Sequence, residues 1–127
     1  MKEYMFIIRN QNENFSSMSS DKQLKFLEAC VVYIDNLKKI KKLIEAQPME
    51  REGTIVTGSA GNYKEDAFKA SGEVIVGYYH IFASNMADAI AIAKANPEFA
   101  YCTTASIEVR PLKTKEDRSK YIYPTRG

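Results

Sequence analysis

The stretch Glu73–Phe99, EVIVGYYHIFASNMADAIAIAKANPEF, decides how the chain is read. Residues 73–83 are rich in β-branched and aromatic side chains, the composition of a strand. Asn85 with Asp88 then opens a helix over MADAIAIAKA, whose alanines permit close packing on a sheet, and Asn96-Pro97 ends it. Side chains alternate across a strand, so Tyr78, His80 and Phe82 share one face and Gly77, Tyr79, Ile81 and Ala83 the other. Of the second set, Gly77, Ile81 and Ala83 have the small and aliphatic sizes that a packed helix demands, and the Tyr79 ring is expected at the edge of the helices. His80, the single histidine, therefore faces away from the helices.

Downstream, ASIEVRPL (105–112) alternates Ile107 and Val109 with Ser106, Glu108 and Arg110, a strand with one apolar and one polar face. Upstream, YMFIIR (4–9) is apolar on both faces and suits a central strand covered on both sides. Ser20 followed by Gln23 has capping-box spacing, and a long helix is expected from there. Leu24, Leu27, Val31, Ile34, Leu37 and Ile44 recur at helical spacing and predict its buried face. Pro48 and Gly53 bracket MERE, TIVTG (54–58) reads as the next strand, and residues 59–72 read as a hairpin-like excursion or loop.

The resulting order is strand, helix, strand, strand, helix, strand: an α+β, ferredoxin-like βαββαβ unit with a four-stranded antiparallel sheet. Both helices cover one face of that sheet. The other face carries aromatic and aliphatic side chains that water does not favour, and a second copy of the chain is the simplest cover. A homodimer joined through its sheet faces is thus expected.

Composition narrows the function. One domain fits 127 residues, and 45% hydrophobic with 27% charged side chains is ordinary for a globular protein. A net charge of +2 is too small for the phosphate-neutralising surface that nucleic-acid binding needs. The lysines of LKKIKKL (37–43) read as a solvated helix end. No apolar run approaches the roughly 18 residues of a membrane span, the N-terminus lacks a signal-peptide pattern, and Cys30 and Cys102 lack metal-ligand spacing. These features predict a soluble cytoplasmic protein with reduced thiols, no cofactor, no metal and no contact with nucleic acid or membrane.

The motifs GYYHIFASNMADAIAIAKANPEF and IEVRPL, with YMFIIRN at the start and QPMEREGTIVTG in the middle, resemble the YCII-related family in its DGPF-type branch. The resemblance covers roughly residues 1–113 and leaves 114–127 as a C-terminal tail. It implies a ferredoxin-like unit that pairs through its sheet into a dimeric α/β barrel. Two departures stand out. Where the branch has Asp-Gly-Pro-Phe, this chain reads KEDAFKASGE, keeping Phe68 and Glu73. Catalytically competent members of the wider family resemble each other in a histidine–aspartate pair early in the fold, and the first strand and following loop here contain no histidine.

The candidate site follows from parity. Tyr78 and His80 face the dimer-enclosed side, Glu108 and Arg110 point the same way because Ile107 and Val109 claim the helices, and Arg9 ends the adjacent strand. Arg9, Tyr78, Glu108 and Arg110 are the expected ligand-binding residues and His80 the candidate proton carrier, since an imidazole titrates near neutrality. The first expectation is a dimeric module that binds a small organic acid in the barrel interior. The alternative is a small acid/base enzyme of lyase or isomerase type, with His80 moving the proton and an arginine holding the carboxylate. In the tail, Tyr121, Ile122 and Tyr123 predict docking on the body or on the partner chain.

Overall fold

The computed structural model describes residues 1–125. Strand β1 (Lys2–Gln11) leads through turns to helix α1 (Ser20–Lys39), followed by β2 (Leu43–Pro48), a hairpin of β3 (Thr54–Ser59) and β4 (Asn62–Ala67), and the long β5 (Glu73–Ala83). Helices α2 (Met86–Lys94) and α3 (Pro97–Tyr101) precede β6 (Ser106–Pro111). The fold is α+β, with a four-stranded sheet in the order β2-β5-β1-β6 whose neighbours are all antiparallel. The strand expected to be central, β1, is flanked by β5 and β6.

One face of the sheet is covered. Tyr4, Phe6 and Ile8 of β1 alternate inward beside Tyr79, Ile81 and Ala83 of β5, and Phe6 and Ile81 are fully buried. Leu37, Tyr33 and Ile34 of α1 and Ala89, Ile92 and Ala93 of α2 close over them. The alanines let α2 lie close to the strands, as their size requires. Tyr79 is buried, its ring meeting Tyr33 edge-on at 5.5 Å and Phe6 at 6.4 Å. The Tyr33 hydroxyl donates to the Ile92 carbonyl (2.6 Å), tying α1 to α2.

The helix ends explain themselves. Asn85 accepts from the Asp88 amide, and Asp88 accepts from the Ser84 amide, so the start of α2 satisfies its own orphan donors. Asn96 caps α3 through the Glu98 amide, with Pro97 in the first helical position, so Asn96-Pro97 both follows α2 and begins a new helix. The cap of α1 is Ser19 rather than Ser20: its hydroxyl accepts from the Lys22 amide, while Gln23 reaches back to the carbonyls of Phe15 and Met18.

Three expectations are corrected. First, α1 stops at Lys39, and Ile44 belongs to β2. Lys41 adopts φ 59°, and the amides of Lys41 and Lys42 bond back to Lys38 and Leu37, a Schellman stop built on lysine instead of glycine. Second, TIVTG does not join the main sheet; β2 takes the edge beside β5, and TIVTG pairs with β4 in a separate hairpin arm whose strand residues are all exposed. Third, of the expected stripe on α1 only Ile34 and Leu37 pack on the core, joined by Tyr33, while Phe26 is buried against Phe15 and Tyr101 and Leu24, Leu27 and Val31 stay about half exposed. In the tail, Tyr121 and Tyr123 meet edge-on around a Lys115–Ile122 bridge, and Tyr121, Ile122 and Tyr123 are exposed, so the cluster does not dock on the body of its own chain.

A β-bulge interrupts β1–β5 pairing between Ile8 and Arg9. Next to it, Gly77 lets β2 approach closely: a Cβ there would lie 2.9 Å from the Gln47 carbonyl oxygen and 3.2 Å from Pro48 Cα. Glycine is required here by the neighbouring backbone, not by its own torsion angles.

Candidate functional site

The uncovered face of the sheet is built by register. Met5 lies opposite His80 on one side and Arg110 on the other, Ile7 opposite Tyr78 and Glu108, and Glu3 opposite Phe82. Beyond β5, Glu45 faces His80 and Gln47 faces Tyr78. Cross-strand partners share a face, so His80, Tyr78, Arg9, Glu108 and Arg110 all occur on the side away from the helices.

They form two clusters. In the first, Glu108 bridges two guanidinium groups: Arg9 Nη1 donates to Oε1 at 2.6 Å and Arg110 Nη1 to Oε2 at 2.9 Å. The hydrogen bonds from Arg110 and then Arg9 hold the Glu108 carboxyl below the ordinary carboxylate range. One carboxylate thus serves two cations, and the cluster keeps an excess positive charge. In the second, the His80 ring meets a carboxylate, Nε2 lying 2.7 Å from Glu3 Oε1. Glu3 is only 8% exposed, the most buried carboxylate of this face. Tyr78 sits beyond, and partial burial together with the nearby Glu45 carboxylate pushes its phenol above the usual value. His80 and Tyr78 do not reach the arginines in any hydrogen bond among the described residues.

Sequence reasoning missed Glu3 and Glu45. Glu3 shares the parity of Met5, Ile7 and Arg9, a signal present in the strand; Glu45 was hidden because its segment reads as helix. A third polar group was missed altogether, on the helix side. Asn10 Nδ2 donates to Glu98 Oε2 (3.1 Å), Thr104 donates to Asn10 Oδ1 (2.6 Å), and Cys102 donates to Asn14 Oδ1 (2.9 Å). Burial raises the Glu98 carboxyl against the hydrogen-bonding groups of Asn10 and Cys102 and the Arg51 charge. Both thiols are pushed up by burial, Cys30 to about 11, so neither is an activated nucleophile.

Among the described residues no group of three or more His, Cys, Asp or Glu side chains is arranged to hold a metal ion, and no helix is long and apolar enough to cross a membrane. No family model matches the chain, and no curated protein matches it.

Proposed function

We propose that the chain is a ferredoxin-like unit of the YCII-related kind that pairs through its uncovered sheet faces into a dimeric α/β barrel and binds a small organic acid in the enclosed cleft. The observation that carries this reading is the pair of guanidinium groups sharing Glu108: an incoming carboxylate supplies the second acceptor that the two forks lack. The face also suits self-pairing. Met5, Ile7, Ile75, Tyr78 and Phe82 give it an apolar body, the arginine excess lies on β6 and at the far end of β1, and Glu3 and Glu45 lie at the start of β1 and on β2. Such a division is self-complementary under two-fold symmetry. Reduced cysteines and a cytoplasmic setting accompany this reading.

A second reading is favoured by the Glu3–His80 contact. A buried carboxylate that holds one imidazole nitrogen fixes the tautomer and leaves the other nitrogen to exchange a proton with a ligand, the arrangement of an oriented general base. In this version the barrel is a small acid/base enzyme.

Sedimentation at micromolar concentration, followed by titration with succinate, tests both parts. The wild-type chain should sediment as a dimer, and Ile7→Asp, which puts a charge in the middle of the face, should give a folded monomer. Arg9→Gln with Arg110→Gln should abolish succinate binding while the dimer persists. A folded wild-type monomer at these concentrations overturns the architecture.

A further inference from the structure

The uncovered sheet face is electrically polarised, and the register shows how. Across the four strands the row Glu45–His80–Met5–Arg110 runs from a carboxylate on β2, through an imidazole and a thioether, to a guanidinium on β6. On the β6 side, Arg9 and Arg110 share the carboxylate of Glu108 and leave one positive charge over. On the β2 side, Glu3 and Glu45 face a single imidazole. Glu3 takes the His80 contact, and Glu45 has no ion pair among the described residues.

Glu45 is half-buried, and its carboxylate lies close enough to the Tyr78 phenol to raise it, so the charge stands over the sheet face. A ligand with one carboxylate answers only the arginine end. Between the ends lie Met5 and Ile7, which offer a bound chain nothing but apolar contact. Neighbouring strands are about 4.8 Å apart, so three spacings separate β2 from β6 by roughly 14 Å. A hydrogen bond of about 3 Å at each end leaves about 8 Å for the molecule itself.

We propose that the acid bound on this face is a zwitterion, an amino acid whose ammonium group stands at the far end of an apolar chain from its carboxylate. The inference rests on the reading of the face as a carboxylate site and names the other end of the ligand. Arg9 and Arg110 donate to the carboxylate, the ammonium donates to Glu45, and the chain lies over Met5 and Ile7. Extended 6-aminohexanoate has this reach at bond lengths of about 1.5 Å, and β-alanine falls short of it. A second carboxylate in place of the ammonium would meet Glu45 as a like charge.

Calorimetric titration of the full chain at pH 7 with 6-aminohexanoate, hexanoate, adipate and β-alanine tests this. 6-Aminohexanoate should bind at least about tenfold more tightly than each of the other three. Glu45→Gln keeps the side-chain shape, and it should lower 6-aminohexanoate to the affinity of hexanoate while leaving hexanoate unchanged. Should that variant not fold, the comparison of the two probes on the wild type decides without it. If hexanoate binds and 6-aminohexanoate is no tighter, the carboxylate reading stands and this inference alone falls; if no acid binds, both fall. β-Alanine as tight as 6-aminohexanoate refutes the span. A Glu45→Gln chain that sediments as a folded monomer where the wild type is a dimer also overturns the inference, because a second copy and not a ligand then answers the acid.

Discussion

Removing His80 should strand a buried carboxylate, and the cost can be worked from its surroundings. The Glu3 side chain is 7% exposed, the His80 side chain 18%, and the two meet at 2.7 Å. Stripping one partner from a buried pair costs about 3–5 kcal/mol when the charge left behind stays out of water. His80→Ala should therefore approach the lower end of that range, because its own ring is less deeply buried than Glu3. Glu3→Gln keeps a hydrogen-bonding group beside the imidazole and should cost only about 1 kcal/mol. Combining the two substitutions removes the stranded charge, so the double variant should be more stable than the sum of the singles predicts, with a coupling of about 1.5–3 kcal/mol. Urea unfolding at pH 7 measures all four proteins, at one fixed chain concentration because association would shift each midpoint. Additivity within about 0.5 kcal/mol would refute the idea that the two side chains act as a unit.

Two further outcomes follow from the helix side. Lys41→Gly relieves a left-handed backbone at the end of α1 and should stabilise the chain by about 1 kcal/mol, read as a higher urea midpoint; a lower midpoint would mean that the lysine side chain compensates for its torsion. Glu98 has a carboxyl raised from its ordinary value of 4.5, so it binds a proton more readily folded than unfolded. Its contribution is fully present below the unfolded value and is lost as pH rises through the folded one. The melting temperature of Glu98→Gln should accordingly gain on that of the wild type between about pH 4 and pH 7; a constant difference across that range would contradict the burial argument.

The sequence was most legible where pattern and chemistry agree. In β5 the alternation of Tyr79, Ile81 and Ala83 against Tyr78, His80 and Phe82 predicts the two faces, because only the first set fits under a helix made of alanines. In α2 the Asn85–Asp88 spacing carries the hydrogen bonds that start the helix. The chain misleads where two periodic solutions coexist. Helix α1 carries two apolar stripes at equivalent helical spacing, Leu24-Leu27-Val31-Ile34 and Phe26-Cys30-Tyr33-Leu37, and the packing turns the helix so that the second is buried with only Ile34 of the first. Ile40, Leu43 and Ile44 extend that period past the true stop, which depends on a lysine in a conformation that glycine usually marks. Once β2 is misplaced, the strand-like TIVTG fills its role by default, and Glu45 disappears from the site. The Asn10–Glu98–Thr104 group lay beyond reach because its members come together only through the end of β1, α3 and the loop before β6.

The hairpin arm separates change from risk. Its strand residues touch water throughout, glycine is demanded at position 61 by φ 80° and at position 58 by φ 116° and the Asn62 backbone beside it, and an isolated two-stranded ribbon contributes little to global stability. Amides of 54–67 should accordingly exchange with solvent through local opening, while those of β1 and β5 wait for the whole sheet to come apart. The segment KEDAFKASGE falls on this arm and the turn after it. Substitution, lengthening or grafting there alters what the molecule presents to its surroundings and leaves the core intact, so the arm is the part of the chain that selection can rewrite most freely.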